Sequence, residues 1–494
     1  MTVRGGGPEP GTGSTPEAGS GRKPGAGAEA DAGAGPEPGS EAEADSGARP
    51  ASEAATNPSD TETATETGPQ ATTSAMAADS SALAAGSSAA EATAEVGPWT
   101  ATAAVGAGPS AGPPAPRPPA RTGGRRLVVD VVRDTQAFAS LAPAWGRLHR
   151  RCESATPFQS HAWAYSWWLS YGRRGRLRLV VVRDGGELRA VAPLTRVRGP
   201  VPALVPLGGA LSDYADVLLD DEYADPAAAA LAEGLAAAAR TAVIDFREVR
   251  PGGAVEQVYD LWRGPRRRLE DSLCLELPAA PMAGLVARLP SGKAQRVRAK
   301  LRKLDALGVE RTVVPPDGVD AALHRLLELH RLQWRGRKVT AEHLTDRFAA
   351  HLVRAVVPMV RDGDAVVTEF RLDGDVAAVD LTLLSRRLAG GYLYGAHPRL
   401  RERKADVAVM LLDACSRHTG PEDGRTTLSL LRGDEPYKHH WRPVPVANQR
   451  LLLARRRTAP LIGAVLCDVA ARRRGKELLR RRRERGGKDG GDGG

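Results

Sequence analysis

The sequence predicts an α/β protein: two duplicated halves, each a mixed sheet flanked by helices, behind a disordered N-terminal segment. Three observations carry this. A strand, Gly-containing turn, strand pattern occurs twice, in "LRLVVVRDGGELRAVAPLTRVRG" (Leu177 to Gly199) and in "AVVTEFRLDGDVAAVDLTLLS" (Ala365 to Ser385). Each copy is followed by a further strand, a helix and a closing strand, which is the grammar of a repeated α/β unit. The residues up to Thr122 have one Trp (Trp99), no Phe or Tyr and few branched aliphatics, too little apolar surface to offset chain entropy.

The elements follow in order. "RRLVVDVVRD" (Arg125 to Asp134) opens the folded part as a strand, and "FASLAPAWGRLHRRC" has helical spacing. In "TPFQSHAWAYSWWLSYG", Ser160 suits a helix N-cap, and Trp163, Trp167 and Tyr171 recur at i, i+4 and i+8, as a core anchor or a stacking face. After the first hairpin come "LVPLGGALSDYADVLLD", an Ala-rich helix from Pro226 to Arg240 and the strand "TAVIDFREV". Between the halves, "SGKAQRVRAKLRKLDALG" sets Arg296, Lys300 and Lys303 along one side of a helix ended by Gly308. "DAALHRLLELHRLQWRGR" sets Leu326, His330 and Trp334 on one face, with His330 read as a satisfied interior or interface group in preference to a catalyst. The second hairpin, the strand "LAGGYLYGAHP", the helix "ERKADVAVMLLDACSRH" and the strand "TTLSLLRGDEPYKHHW" complete the repeat. The boundaries are 1–122 for the leader, 123–285 and 286–455 for the halves, and 456–494 for a basic tail, helical and then disordered.

Charge is segregated. Residues 1–122 hold 6 basic and 15 acidic groups, residues 455–494 hold 13 and 5, and the whole chain is +10, which leaves +11 for the middle. A basic core and tail fit an anionic partner: CoA, a nucleotide sugar, RNA or acidic lipid. Cys152, Cys274, Cys415 and Cys467 lack metal-ligand or disulfide spacing, so no metal is expected, and a reduced cytoplasmic compartment is. The leader lacks a signal-peptide pattern, and no run of 18 apolar residues exists to span a membrane. "APLIGAVLCDVAA" is broken by Asp468 and suits at most adhesion to the inner membrane face, beside a tail able to meet RNA or lipid.

"TPFQSHAWAYSWWLSYG", "PLGGALSDYADVLL", the helix ending "LRKLDALG", "LHRLQWRGR" and "LLRGDEPYKHHW", in that order, resemble the CelD/BioF2-like acetyltransferase family of the GNAT superfamily of acyl-CoA transferases. That family is similar to the FemAB peptidoglycan aminoacyl transferases, which pair two GNAT-like halves. The resemblance covers roughly Arg125 to Arg455. It implies two GNAT-like halves and transfer of an acyl group, from acetyl-CoA or a longer acyl-CoA, to an amine or hydroxyl of a small molecule, amino sugar or envelope precursor. Aminoacyl transfer from charged tRNA, and a binding protein without catalysis, are the alternatives.

Acyl transfer needs a deprotonated nucleophile, a donor for the oxyanion, a proton or dipole for the thiolate, and positive potential for the CoA pyrophosphate. By the resemblance the last falls at "YGAHPRLRERKADVAV", where a helix start and Arg401, Arg403 and Lys404 supply charge, although the Gly-rich loop usual in GNAT folds is missing; an ordinary charged helix start is the alternative. Asp213 and Tyr214 follow a Gly-Gly bend at a strand end, as an acceptor-pocket wall with Asp213 in proton transfer or as a plain Asx turn. In "LLRGDEPYKHHW", Asp434 is placed to accept a proton, Tyr437 to donate one, and Arg432 and Lys438 to hold an anion. The bland alternative for that corner is an internal Arg432–Asp434 pair with Lys438 at the surface.

Overall fold

The computed structural model describes residues 127–334 and 340–486. The expected leader (1–122), residues 335–339 at the end of "LHRLQWRGR", and residues 487–494 of the tail lie outside them. The first half runs β1 (Val128–Val132), α1 (Thr135–Ser140), α2 (Ala142–Arg151), α3 (His161–Tyr171), β2 (Leu177–Asp184), β3 (Glu187–Val197), β4 (Ala203–Pro206), β5 (Leu218–Leu219), α4 (Ala224–Ala238), β6 (Val243–Val249), α5 (Val255–Leu261) and β7 (Arg266–Pro278). The second runs α6 (Met282–Ala287), α7 (Ser291–Ala306), β8 (Glu310–Val313), α8 (Val319–Gln333), α9 (Asp346–Asp362), β9 (Ala365–Leu372), β10 (Asp375–Leu384), β11 (Leu388–Ala396), α10 (Pro398–Glu402), α11 (Val407–Ser416), β12 (Thr427–Arg432), α12 (Pro436–His439), β13 (Val444–Leu453) and α13 (Ala459–Gly486).

Local chemistry explains the punctuation. Ser160 accepts the Trp163 N–H at 3.3 Å and starts α3. Asp373 and Gly374, both at positive φ, make the two-residue turn of the β9–β10 hairpin. Gly308, at φ 65°, follows the end of α7. "ERKADVAVMLLDACSRH" is not one helix. Lys404 adopts φ 58°, and Asp406 caps a new helix by accepting the Val409 N–H at 3.0 Å. The carboxylate offers the chain a better start three residues before Val409 than continuation from α10 would.

Both halves share one sheet, in the order β1-β2-β3-β4-β6-β13-β7-β12-β11-β10-β9-β8, with β5 on β3. The join is an exchange. β7, the last strand of the first half, pairs with β12 of the second, and β13, from the end of the second, pairs with β6 of the first. β7 and β13 then pair antiparallel with each other. Each half has one parallel pair, β4 with β6 and β11 with β12, and each pair soon parts. β11 and β12 stay paired only from Leu388/Thr427 to Gly390/Ser429.

The duplication extends to a defect. On β6, residues Phe246 to Val249 face Leu451 to Gln449, three steps against two; on β12, Ser429 to Arg432 face Glu276 to Cys274 in the same way. The third residue of each bulge, Glu248 and Leu431, sits at φ 58° and 57°. A left-handed conformation costs a side-chain-bearing residue about 1–2 kcal/mol. Bulges of this kind re-aim the next side chain. After the second bulge that side chain is Arg432; in the first half its counterpart is Val249. No described helix is long and apolar enough to cross a membrane.

Candidate active site

The splay between β11 and β12 is covered on one face by a loop from the other half. Gly208 and Gly209, at φ 98° and 50°, turn the chain after β4, and a side chain at Gly208 would strike Ser212 Oγ. Trp163 Nε1 donates to Ser212 Oγ at 2.9 Å, and Tyr392 of β11 donates its hydroxyl to Leu211 O at 3.0 Å. Trp163 is fully buried, so the three-Trp helix anchors the core through it.

Arg432 clasps this loop. Its Nε donates to Asp213 Oδ1 at 2.8 Å, Nη1 to Glu248 Oε1 at 3.0 Å and Nη2 to Ala210 O at 2.9 Å. The guanidinium side chain is 11% exposed and both carboxylates 7%. Burial works against its charge, but Asp213 and Glu248 outweigh burial and hold the group protonated more firmly than usual. Asn448, fully buried on β13, donates to Asp213 O at 3.2 Å and Glu248 Oε2 at 3.1 Å. Ser272 also donates to Glu248 Oε2.

A second link of the network lies alongside. Tyr214, 1% exposed, donates to Glu276 Oε1 at 3.2 Å and meets Ser429 Oγ at 2.9 Å. Burial, then the neighbouring Cys274 and Glu276, push its phenol well above the usual range. Glu276 is gripped by Arg250 at 2.7 and 2.8 Å. Arg250 lines a cavity of about 470 Å³ between the halves, with Thr156, Asp221, Arg387 and Thr427.

The predicted site residues therefore separate. Asp213, Tyr214, Arg432 and Lys438 belong to one buried region. Lys438 is not at the surface: its Nζ donates to Arg432 O at 2.8 Å and pairs with Glu435 at 2.8 Å. Gly433 has φ 117°, and a Cβ there would lie 2.5 Å from the Glu435 carboxylate. The "RGDEPYK" corner is thus a self-satisfied turn that points one guanidinium into the other half. Asp434 stands outside it, 66% exposed and paired with His439 at 2.5 Å, and not with Arg432. Tyr437 is half-buried in the single turn of α12. Arg401, Arg403 and Lys404 are exposed at the α10–α11 turn, where Arg403 pairs with Asp373 at 3.0 Å. At the start of α11, Asp406 holds the first turn and pairs with Lys300 of α7 at 2.6 Å.

The other face of the splay holds a residue that sequence reasoning missed. Asp380 of β10 is 3% exposed, and burial pushes its carboxyl up to about 7, with Thr382 Oγ1 donating to it at 2.8 Å. It neighbours Cys415 of α11, whose thiol burial and this acid push up to about 12. Its other oxygen is 4.0 Å from where a side chain at Gly391 would begin. An acid inside the apolar run "VAAVDLTLL" was the available signal. Among the described residues no group of three or more His, Cys, Asp or Glu is arranged to hold a metal ion.

The sheet around this site is mixed and parts at the β11–β12 parallel pair, beside the start of α11. Residues 291–439 match the family model described as Acetyltransferase (GNAT) domain. No curated protein matches the chain. Solved structures similar to it include FemX, 12% identical over 68% of this chain and 99% of that one with a TM-score of 0.47. A conserved protein of unknown function from Bacteroides thetaiotaomicron is 13% identical over 66% and 100%, TM-score 0.45. A tandem GNAT protein from the clavulanic acid biosynthesis pathway is 11% identical over 66% and 98%, TM-score 0.35.

Proposed function

We propose that the protein transfers an acyl group from an activated donor, an acyl-CoA thioester in the first instance, to an amine or hydroxyl, with the reacting carbonyl in the splay between β11 and β12. The observation that carries this reading is the splay itself. It lies inside the GNAT-matched segment, its strands part after Gly390 and Ser429, and Asp380 waits beside Gly391. A carboxyl pushed up to about 7 is part-protonated at neutral pH and suits protonation of a departing thiolate, a role generally worth about 10²–10⁴ in rate. The clasp of Arg432 on Asp213, Glu248 and Ala210 O fixes the loop over the splay and keeps water from that face.

A second reading keeps the chemistry and changes the carrier to aminoacyl-tRNA. Its support is Asp406, a fixed acid at the helix start where a CoA pyrophosphate would seek N–H groups. Nearby, burial and then Lys293, Lys300 and Arg296 of α7 hold His440 below its usual range. The test is thermal unfolding with acetyl-CoA, together with thiol release in the presence of small amines. Stabilisation by a ligand that binds only the folded state follows its concentration over Kd. Stabilisation and thiol release that fall in Asp380→Asn support the CoA reading. A midpoint indifferent to acetyl-CoA, with no thiol released, removes it and leaves charged tRNA as the donor to try.

A further inference from the structure

We propose that the acceptor's amine or hydroxyl binds where α8 crosses the free edge of β11, hydrogen-bonded between His330 and Trp334, and that His330 takes its proton. The inference rests on the acyl-transfer reading of the splay, but it stands on different atoms. Beyond Gly390, β11 has no strand partner on its β12 side, and its main-chain groups there must be satisfied otherwise. Two are met by α8: His330 Nδ1 is 2.8 Å from Tyr394 O, and Gln333 Oε1 accepts the Ala396 N–H at 3.1 Å. The helix backbone itself presses on the strand, since a Cβ at Gly395 would lie 2.3 Å from Leu326 O and 2.5 Å from His330 N. The imidazole is therefore held from both sides.

A carbonyl only accepts, so Nδ1 carries the hydrogen and Nε2 of the neutral ring presents a lone pair. That Nε2 is buried and has no hydrogen-bond partner among the described residues. The same is true of Trp334 Nε1, which can only donate, and of His343 Nε2. The three rings adjoin: His330 to Trp334 is 6.2 Å and His330 to His343 is 5.6 Å between centroids, and His343 stacks on Phe348 at 4.6 Å. His330 and His343 are each 6% exposed. One orphaned buried polar atom costs about 1–3 kcal/mol, so three on adjoining rings mark a place where a polar occupant would be favoured. The occupant must donate to His330 Nε2 and accept from Trp334 N–H. A hydroxyl or a neutral amine does both; a carboxylate cannot donate and an ammonium cannot accept. Burial lowers the affinity of both imidazoles for protons, His343 to about 4, which keeps the lone pairs available.

In the transfer, the nucleophile's N or O forms a bond to the donor's carbonyl carbon while its proton passes to His330 Nε2. The C–S bond breaks and the thiolate takes the proton of Asp380. The imidazolium then releases its proton to solvent and Asp380 takes one up, so that amine plus thioester gives amide plus thiol.

The test uses the full chain and ethanolamine, which carries both acceptor groups. The Trp334 indole N–H signal is identified among the eight Trp by its loss in Trp334→Phe. Ethanolamine is expected to move that signal in the wild type and not in His330→Gln, and acetyl transfer to ethanolamine is expected to fall by about a hundredfold or more in His330→Gln. Should His330→Gln fail to fold, Trp334→Phe, which keeps an aromatic ring, is expected to weaken the dependence of transfer on ethanolamine. A signal that does not respond, or responds equally in His330→Gln, means a buried water only and overturns the proposal. Movement of the signal without any transfer from acetyl-CoA sinks the donor reading and upholds the acceptor site.

Discussion

Replacing Arg432 by Met keeps a long side chain and removes the only cation that touches Asp213 and Glu248 among the described residues. Two carboxylates, each 7% exposed, are left facing one another without it. Removing one partner of a buried ion pair costs about 3–5 kcal/mol, most of it from stranding the other charge. The loop carbonyl of Ala210 also loses its donor. The comparison is Asp434→Asn in the same turn, whose His439 pair is exposed and worth about 0–1 kcal/mol. Urea unfolding reads both: Arg432→Met lowers the midpoint by several kcal/mol equivalents and Asp434→Asn leaves it nearly unmoved. If stranded charge is the cause, Arg432→Met/Asp213→Asn/Glu248→Gln recovers more than half of the loss, although it has fewer ionic contacts than either parent. A single variant within about 1 kcal/mol of wild type, or a triple variant no better than the single, would refute the clasp as an energetic element.

Three more expectations follow from other parts of the fold. Gly395→Ala places a methyl group against Leu326 O and His330 N, so α8 must lift from β11, and the thermal midpoint falls with hydrogen exchange rising first in α8. Asp380 holds a proton up to about pH 7 in the native state against 3.8 ordinarily, so its contribution to stability is lost as pH rises between those values; Asp380→Asn raises the midpoint over wild type at about pH 8 and not at about pH 4. His351 runs the other way. It is fully buried with its affinity for protons lowered to about 3 from 6.5, so the unfolded chain takes a proton the native one refuses, stability falls as pH drops below 6.5, and His351→Gln flattens that acid limb in a pH series of unfolding midpoints.

The element order was legible because its signals are local. Paired hairpin turns, the Ser160 cap, Gly308 and the alternation along β2, β3, β9 and β10 each depend on a few neighbouring residues. The break between α10 and α11 was missed because Lys404 at positive φ is not a residue that announces one. The corner at Arg432 was found, but its partners were not: Glu248 and Asn448 lie 184 and 16 residues away, and nothing near them in sequence marks them as answering that guanidinium. The neutral alternative for the corner named the wrong carboxylate, Asp434, because the bulge at Leu431 turns Arg432 away from its own loop. The spacing around His330 points to a satisfied group, which holds for one ring nitrogen and not the other.

The traded strands make the molecule indivisible in a way its repeat conceals. A fragment cut to the GNAT-matched residues 291–439 would carry β12 but leave behind β7, its antiparallel neighbour, while the first half cut before α6 would keep β7 and lose β13, the seam for β6. Each piece would present a raw central edge of unmet amides, a template for aggregation. The protein has to finish translating its last strand before the first half is whole.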